Sequence, residues 1–251
     1  MFRIAISLPR GINKEETVVW PCILKLQEAF GEYCEIRESY GPFIDANRNK
    51  CVSKDFLNIN WTKDSNFDHI LFVDDDISFN INDFVKLLSH NKPIIAGYYQ
   101  WRDRPQYGVA GGGDEKEDWS WEKTGVHIAD FCGGGFLLVK REVFDEVKRP
   151  WFSHGYIGNS EGQLAVVGDD ITFCNNASNT GYKIFIDCDC KVEHVFEKKQ
   201  GQSSNTQTIQ KLTEGASLTI HDIIKKTHDL QKSIYFLESA LIETMKRTSG
   251  V

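Results

Sequence analysis

The run His69-Ile-Leu-Phe-Val73, followed at once by Asp74-Asp75-Asp76, constrains the fold more than any other stretch. A continuous apolar run of this length reads as a strand buried on both faces, and such strands belong to sheets covered by helices. Ligands gather at the carboxyl ends of strands in open α/β sheets, which is where the triplet falls. Extended-chain alternation puts Asp74 and Asp76 on one face and Asp75 on the other. Three adjacent carboxylates repel one another and push one pKa upward; a hard divalent cation with a phosphate relieves this. Taken alone, the triplet could equally be a solvated turn with Asp76 as a cap.

The rest of the chain alternates strands with helices. Phe2–Leu8 is a predicted strand stopped by Pro9-Arg10-Gly11, and Thr17–Phe30 spaces Val19, Ile23, Leu26 and Phe30 for one helix face. A short strand at Cys34–Arg37, a helix over Ala46–Leu57, a helix over Ile81–Leu88 and a strand over Ile94–Tyr99 follow. Gly111-Gly112-Gly113 and the charged run Asp114–Asp118 read as a mobile surface loop. Val126–Ala129 and Phe136–Lys140 flank Cys132-Gly133-Gly134-Gly135; helices at Glu142–Val147 and Ile171–Thr180 precede a last core strand at Lys183–Asp187. This order predicts an α/β fold with a Rossmann-like, mostly parallel central sheet.

Composition narrows the class. With 251 residues and 41% hydrophobic content the chain can bury one sizeable core, which excludes disordered and disulfide-scaffold proteins. A net charge of −7 argues against a general nucleic-acid binder. No apolar run approaches the ~20 residues of a membrane span, and Phe2–Leu8 reads as a strand rather than a signal peptide. Seven cysteines, an odd number, read as reduced thiols, so a cytoplasmic location is expected.

Other candidates surround the triplet. Gly168-Asp169-Asp170 opens a helix: one aspartate satisfies the cap, and the second is free to act as a general base toward a hydroxyl. His194 follows the last core strand and is a candidate ligand for Mn²⁺ or a similar ion. Ala46, Asn47, Arg48 and Asn49 open another helix just after Asp45, where Arg48 either pairs with a phosphate or carboxylate of a ligand or forms an ion pair with the triplet that organises the site. The glycines at 133–135 let backbone approach a ligand closely.

These residues, in this order, resemble metal-dependent glycosyltransferases of the GT-A fold, particularly the small family-2-like enzymes of bacteria and phages. The resemblance rests on Leu8-Pro9-Arg10-Gly11, Ala46–Asn49, Leu71–Ile77, Gly133–Arg141, Asp169–Cys174, Gly181–Ile184 and His194, and spans about residues 2–197. It implies transfer of a sugar from a UDP- or GDP-linked donor to an acceptor hydroxyl, with Mn²⁺ or Mg²⁺ and inversion at the anomeric centre. Asp74, Asp76 and His194 would make up the metal site, with Asp76 and His194 on the ion and Asp74 near the ribose or a metal-bound water. Pro9, Arg10, Asp45, Arg48, Asn49, Asp74 and Asp75 would contact the nucleotide. Asp170, with Asp169 beside it, would be the base. The Asp-Asp pair departs from the Glu-Asp of many relatives, which leaves open which carboxylate is the base. Gly133, Gly134, Gly135, Trp151, Phe152 and Trp101 would line the sugar and acceptor side, the acceptor being a glycan, a lipid-linked glycan, a protein or a modified DNA base.

Two other readings stay open. A haloacid dehalogenase-like phosphatase would use Asp74 as nucleophile and Asp76 as acid, but leaves Ala46–Asn49 and His194 without a role. A catalytically silent sugar-nucleotide or glycan-binding module would bind without turnover. Beyond the core, a polar linker at 201–217 leads to a C-terminal helix over 218–251. Ile220, Ile223, Leu230, Ile234, Leu237 and Leu241 recur there at heptad spacing, interrupted by Thr227 and Thr244. Such a seam either docks on its own domain or pairs two chains as a coiled-coil homodimer.

Overall fold

A computed structural model describes residues 3–10, 17–53, 67–113, 115–158, 162 and 164–195, all within the unit Met1–Glu197. The linker at 201–217 and the heptad segment at 218–251 lie outside the described residues. In chain order the strands are β1 (Ile4–Arg10), β2 (Cys34–Tyr40), β3 (His69–Val73), β4 (Ile77–Ser78), β5 (Ile94–Tyr98), β6 (Tyr107–Gly112), β7 (Glu115–Ser120), β8 (Val126–Ala129), β9 (Phe131–Cys132), β10 (Phe136–Lys140), β11 (Gly155–Gly158), β12 (Leu164–Val167), β13 (Ile184–Lys191) and β14 (Glu193–His194). The helices are α1 (Trp20–Phe30), α2 (Ile44–Val52), α3 (Ile81–Ser89), α4 (Arg141–Glu146) and α5 (Asp169–Asn179).

Seven strands form the central sheet in the order β2-β1-β3-β10-β5-β13-β8. The pairs β2–β1, β1–β3 and β5–β13 are parallel, whereas β10 runs against both β3 and β5, and β8 against β13. The sheet is therefore mixed: β2, β1, β3, β5 and β13 share one direction, and β10 and β8 run against them. Ile70 and Phe72 of β3, Leu137 and Val139 of β10, and Ile184 and Ile186 of β13 join one buried cluster with Phe144 of α4 and Phe173 of α5. The alternate residues Leu71, Val73, Phe136 and Leu138 are as deeply buried, so both faces of the sheet are covered. Phe30 of α1 meets Phe84 of α3 edge-on at 5.4 Å, joining these two helices.

Local chemistry sets the helix ends. Asn80 and Asp83 form a reciprocal capping box at the start of α3. Gly181, at φ +98°, turns the chain after α5 through a conformation that costs other residues. Helix α2 is unusual: its buried residues include Asn47, Arg48 and Asn49 rather than an apolar stripe alone. Polar groups are buried only when partners wait for them, so α2 is a scaffold for something other than core.

One expectation is corrected. In the segment expected as a mobile loop at 111–118, Gly111 and Gly112 close β6 and residues 115–118 belong to β7, its antiparallel partner, in which Trp119 is buried. Charged residues had suggested solvent, but backbone pairing and the anchoring indole decide the conformation. Among the described residues, no helix is long and apolar enough to cross a membrane.

Candidate active site

The site forms at the carboxyl end of β3 because four sequence-distant elements, β3, β14, α2 and α5, bring polar side chains there. Strand β3 delivers Asp74, Asp75 and Asp76, each partly exposed. The short antiparallel pair β4–β14 then sets His194 opposite Ile77, one residue from Asp76. Helix α2 supplies Arg48, and the first turn of α5 supplies Asp169 and Asp170.

Arg48, 3% exposed, is the hub. Its Nη2 donates to Oδ1 of Asp74 at 2.7 Å and its Nη1 to Oδ2 of Asp169 at 2.7 Å. Burial disfavours the charged guanidinium, but Asp74, Asp169 and Asp170 outweigh it and hold Arg48 well above its usual range. The glycines fit around this hub: a Cβ on Gly134 would sit 2.7 Å from Cζ of Arg48, and one on Gly133 would meet the Tyr99 hydroxyl. Any side chain there would evict one of them.

Asp170 accepts from the backbone N–H of Gly134 at 3.2 Å and of Ile171 at 2.8 Å. Burial pushes its carboxyl up; Arg48 pulls against this, and Asp169 adds to the rise. Asp75 is also raised, by burial and then by its neighbours Asp76 and Asp74.

On the other side, Nε2 of His194 lies 3.1 Å from Oδ2 of Asp76, and Nδ1 of His194 donates to the Gln100 carbonyl at 3.0 Å. That second bond fixes the ring so that Nε2 faces the carboxylate. Burial opposes charge on His194, but the hydrogen bonds to Asp76 and Gln100 raise its pKa on balance. Asp76 is lowered despite burial, by His194 and then by Arg102, whose Nη2 lies 2.6 Å from the same Oδ2.

The donor set fits a divalent cation. The carboxylate of Asp76 and the imidazole of His194, 3.1 Å apart, are oxygen and nitrogen donors of the kind that Mn²⁺ takes. Among the described residues no group of three His, Cys, Asp or Glu side chains is gathered to hold a metal, so the protein offers a pair. Such a pair suits an ion that keeps waters and binds substrate phosphates.

Three expected residues sit differently. Asn49 has no atom left for a ligand: its Nδ2 donates to Asp45 and Phe152 carbonyls, and its Oδ1 accepts from Trp151 and Phe152 N–H. It is a clamp on the 151–152 segment. Trp151 and Phe152 are both 0% exposed, packed on Phe144 and Phe173, and so have no surface to offer an acceptor. Aromatic faces suit sugar C–H groups, which is why the resemblance puts these two on the acceptor side, but core packing claims them instead. Asp74 turns one oxygen to Arg48, as the ion-pair alternative for Arg48 expected. Arg10 pairs with Glu38 at 3.2 Å and lies over Trp20, and Pro9 is buried in β1. Asp45 keeps a buried Oδ1 with no hydrogen-bond partner, while its Oδ2 is 3.6 Å from Nδ1 of His154.

Tyr99 and Arg102 were missed. Tyr99 is buried, accepts from Gly135 N–H at 2.9 Å, and is held protonated by burial and by Asp74 and Asp170. The signal was the polar and aromatic run Tyr98-Tyr99-Gln100-Trp101-Arg102 at a strand's carboxyl end.

No protein-family model and no curated protein matches the chain. Among solved structures it is similar to the protein A197 from STIV, at 14% identity over 81% of this chain and 100% of that one, with a TM-score of 0.48. It is also similar to a Drosophila beta-1,4-galactosyltransferase 7 variant solved with manganese, UDP-Gal and xylobiose, at 14% identity over 88% and 84%, TM-score 0.43. GalNAc-T7, solved with UDP, GalNAc and Mn²⁺, is similar at 12% identity over 78% of this chain and 44% of its own length, TM-score 0.43. Likenesses at this level carry no weight for activity, which rests on the residues of the site.

Proposed function

We propose that this protein is a glycosyltransferase of the GT-A, family-2-like type, moving a sugar from a UDP- or GDP-linked donor to an acceptor hydroxyl with inversion. The observation that carries the reading is convergence: Arg48 joins Asp74 to Asp169, while Asp76 meets His194, 118 residues away, at the same end of β3. Asp76 and His194 are the residues that would hold Mn²⁺ or Mg²⁺. When bound, the cation supplies positive charge against the diphosphate that leaves.

The chain's own residues supply the rest. Asp45, with its partnerless buried Oδ1, is poised to accept from a ribose hydroxyl or a base N–H. Arg48 holds Asp74 in place, and the exposed Arg102, whose Nη2 lies 2.6 Å from Oδ2 of Asp76, adds positive charge where a phosphate would lie. Asp170 is the base. Two backbone N–H groups aim its carboxylate, and its raised pKa makes it a better proton acceptor than a solvated aspartate. Asp169, tied to Arg48, is the positioning neighbour. The phosphatase reading asks Asp74 to attack as a free carboxylate, and its 2.7 Å ion pair with Arg48 works against that.

The seven cysteines, all unpaired thiols, support a reducing cytoplasmic setting. The heptad segment at 218–251 supports a homodimer, tested by light scattering on the full chain and on one ending near Gly201. For the activity itself, a panel of UDP- and GDP-sugars with and without Mn²⁺ should raise the melting temperature only when both partners are present. Donor turnover should follow. A shift with no turnover by any acceptor would leave the binding-module reading; phosphate release from simple esters would favour the phosphatase.

A further inference from the structure

Gly133, Gly134 and Gly135 carry the chain from β9 to β10 past the acidic end of β3, and each N–H has a different acceptor. That of Gly134 donates to Oδ2 of Asp170 at 3.2 Å. That of Gly135 donates to the Tyr99 hydroxyl at 2.9 Å, while the Gly135 carbonyl accepts from the Asp74 N–H at 3.1 Å. The N–H of Gly133 donates to the Val109 carbonyl at 3.0 Å, and the Val109 N–H donates in turn to the Tyr99 carbonyl at 2.8 Å. Tyr99 thus holds the segment twice, directly at Gly135 and through Val109 at Gly133, on either side of the glycine that aims Asp170.

The phenol is itself fixed. Tyr99 is buried, and its hydroxyl lies so close to the segment that a Cβ on Gly135 would stand 2.8 Å from it. Its ring meets the imidazole of His194 edge-on, with centroids 5.4 Å apart and planes at 84°. Edge-on ring pairs are mutually attractive and restrict how either ring turns. One side chain therefore touches both halves of the site: the glycine segment behind Asp170 and the imidazole that faces Asp76.

We infer that Tyr99 is a positioning residue for the proposed sugar transfer, an inference that rests on that reading: its hydroxyl sets the aim of Asp170 through Gly135 and Gly134, and its ring sets His194. The two roles belong to different atoms. A phenylalanine would keep the ring against His194 but strand the Gly135 N–H without its acceptor. The Gly134 N–H next to it would then lose its fixed place beside Asp170, and a misplacement of ~1 Å at a reacting group costs up to ~10²-fold in rate. A leucine would remove the hydroxyl and the ring together.

The test compares Tyr99→Phe and Tyr99→Leu with the wild type, all as full chains. Tyr99→Phe should lower kcat of transfer roughly ten- to a hundredfold, with KM for the sugar donor and Mn²⁺ affinity within about twofold. In an Asp170→Asn background the same change should cost little more, because residues that act as a unit are not additive. A merely structural tyrosine would cost as much in both backgrounds. Tyr99→Leu should in addition weaken Mn²⁺ binding, titrated calorimetrically without nucleotide, by roughly tenfold, as loss of a group that orients a metal ligand does. Hydrogen–deuterium exchange, which needs no turnover, should be faster at Gly134 and Gly135 in Tyr99→Phe. Unchanged exchange there, kcat within about twofold of wild type, or the full loss repeated in the Asp170→Asn background would overturn the role. A wild type inert with every UDP- and GDP-sugar would overturn the transfer reading and this role together, whereas an active wild type with an unaffected Tyr99→Phe would overturn this role alone.

Discussion

Nη1 of Arg48 lies 2.7 Å from Oδ2 of Asp169, a residue 121 positions further along the chain, with both side chains almost fully buried. This bond fastens the first turn of α5 to α2. Because the same guanidinium reaches Asp74, it ties the start of α5 to the acidic end of β3.

Arg48→Met should therefore destabilise the fold by about 3–5 kcal/mol, since removing one partner strands buried carboxylates. The partial exposure of Asp74 places the value toward the lower end. Adding Asp169→Asn should recover part of the loss. Urea denaturation of both variants measures it, and a single-variant loss under 1 kcal/mol would show that the hub does not hold the two elements together.

Asp170→Asn should keep the shape and remove the base, lowering transfer ~10²–10⁴-fold with donor binding intact. The same change should raise stability at neutral pH. A carboxyl whose folded pKa is raised costs stability as pH rises from the unfolded value through the folded one, and an amide carries no such cost. In the wild type, the acid limb of the rate profile should fall above the ordinary aspartate range for the same reason. Transfer within a few-fold of wild type would move the role to Asp169 or to a retaining mechanism.

Much of this architecture is legible in the chain. The apolar run of β3 ending in three aspartates, and helices beginning near Ala46 and at the Asp169-Asp170 pair, announce themselves because periodicity and helix-start chemistry are local. Strand direction is not local. Nothing in Phe136–Lys140 says that it pairs antiparallel between β3 and β5, since that depends on how the chain returns after β9. Residue type also misleads about facing: Asn49, Trp151 and Phe152 have ligand-binding chemistry, but tertiary packing turned each inward. Arg102 was invisible because its role depends on a carboxylate 26 residues away.

His69, at the start of β3, is 6% exposed, and burial first, then Lys140, lowers its pKa from 6.5 to about 4. The unfolded chain thus takes up the proton first. Stability from the neutral ring is complete above pH 6.5 and is lost as pH falls from 6.5 to about 4, by about 3 kcal/mol in all. His69→Gln should flatten the pH dependence of urea midpoints in that window. An unchanged slope would assign the acid sensitivity to other groups.

Asp76, His194 and Arg102 share one oxygen's surroundings, and the three substitutions should separate. Asp76→Ala and His194→Ala each remove one of the two donors, so Mn²⁺ binding and the cation-dependent stabilisation by UDP or GDP should fall together, with the fold retained. Arg102→Ala should act in the opposite direction. Its guanidinium presses on Oδ2 of Asp76 at 2.6 Å, so an incoming cation must displace a positive charge before it can bind. The side chain is 66% exposed, and an exposed ion pair is worth at most about 1 kcal/mol, so the gain in Mn²⁺ affinity should be no more than roughly fivefold. With nucleotide present the sign should reverse, because the positive charge of Arg102 then attracts the diphosphate. Titration of Mn²⁺ with and without UDP reads both effects. Weaker Mn²⁺ binding by Arg102→Ala in the absence of nucleotide would mean that Arg102 orients Asp76 rather than competing for it.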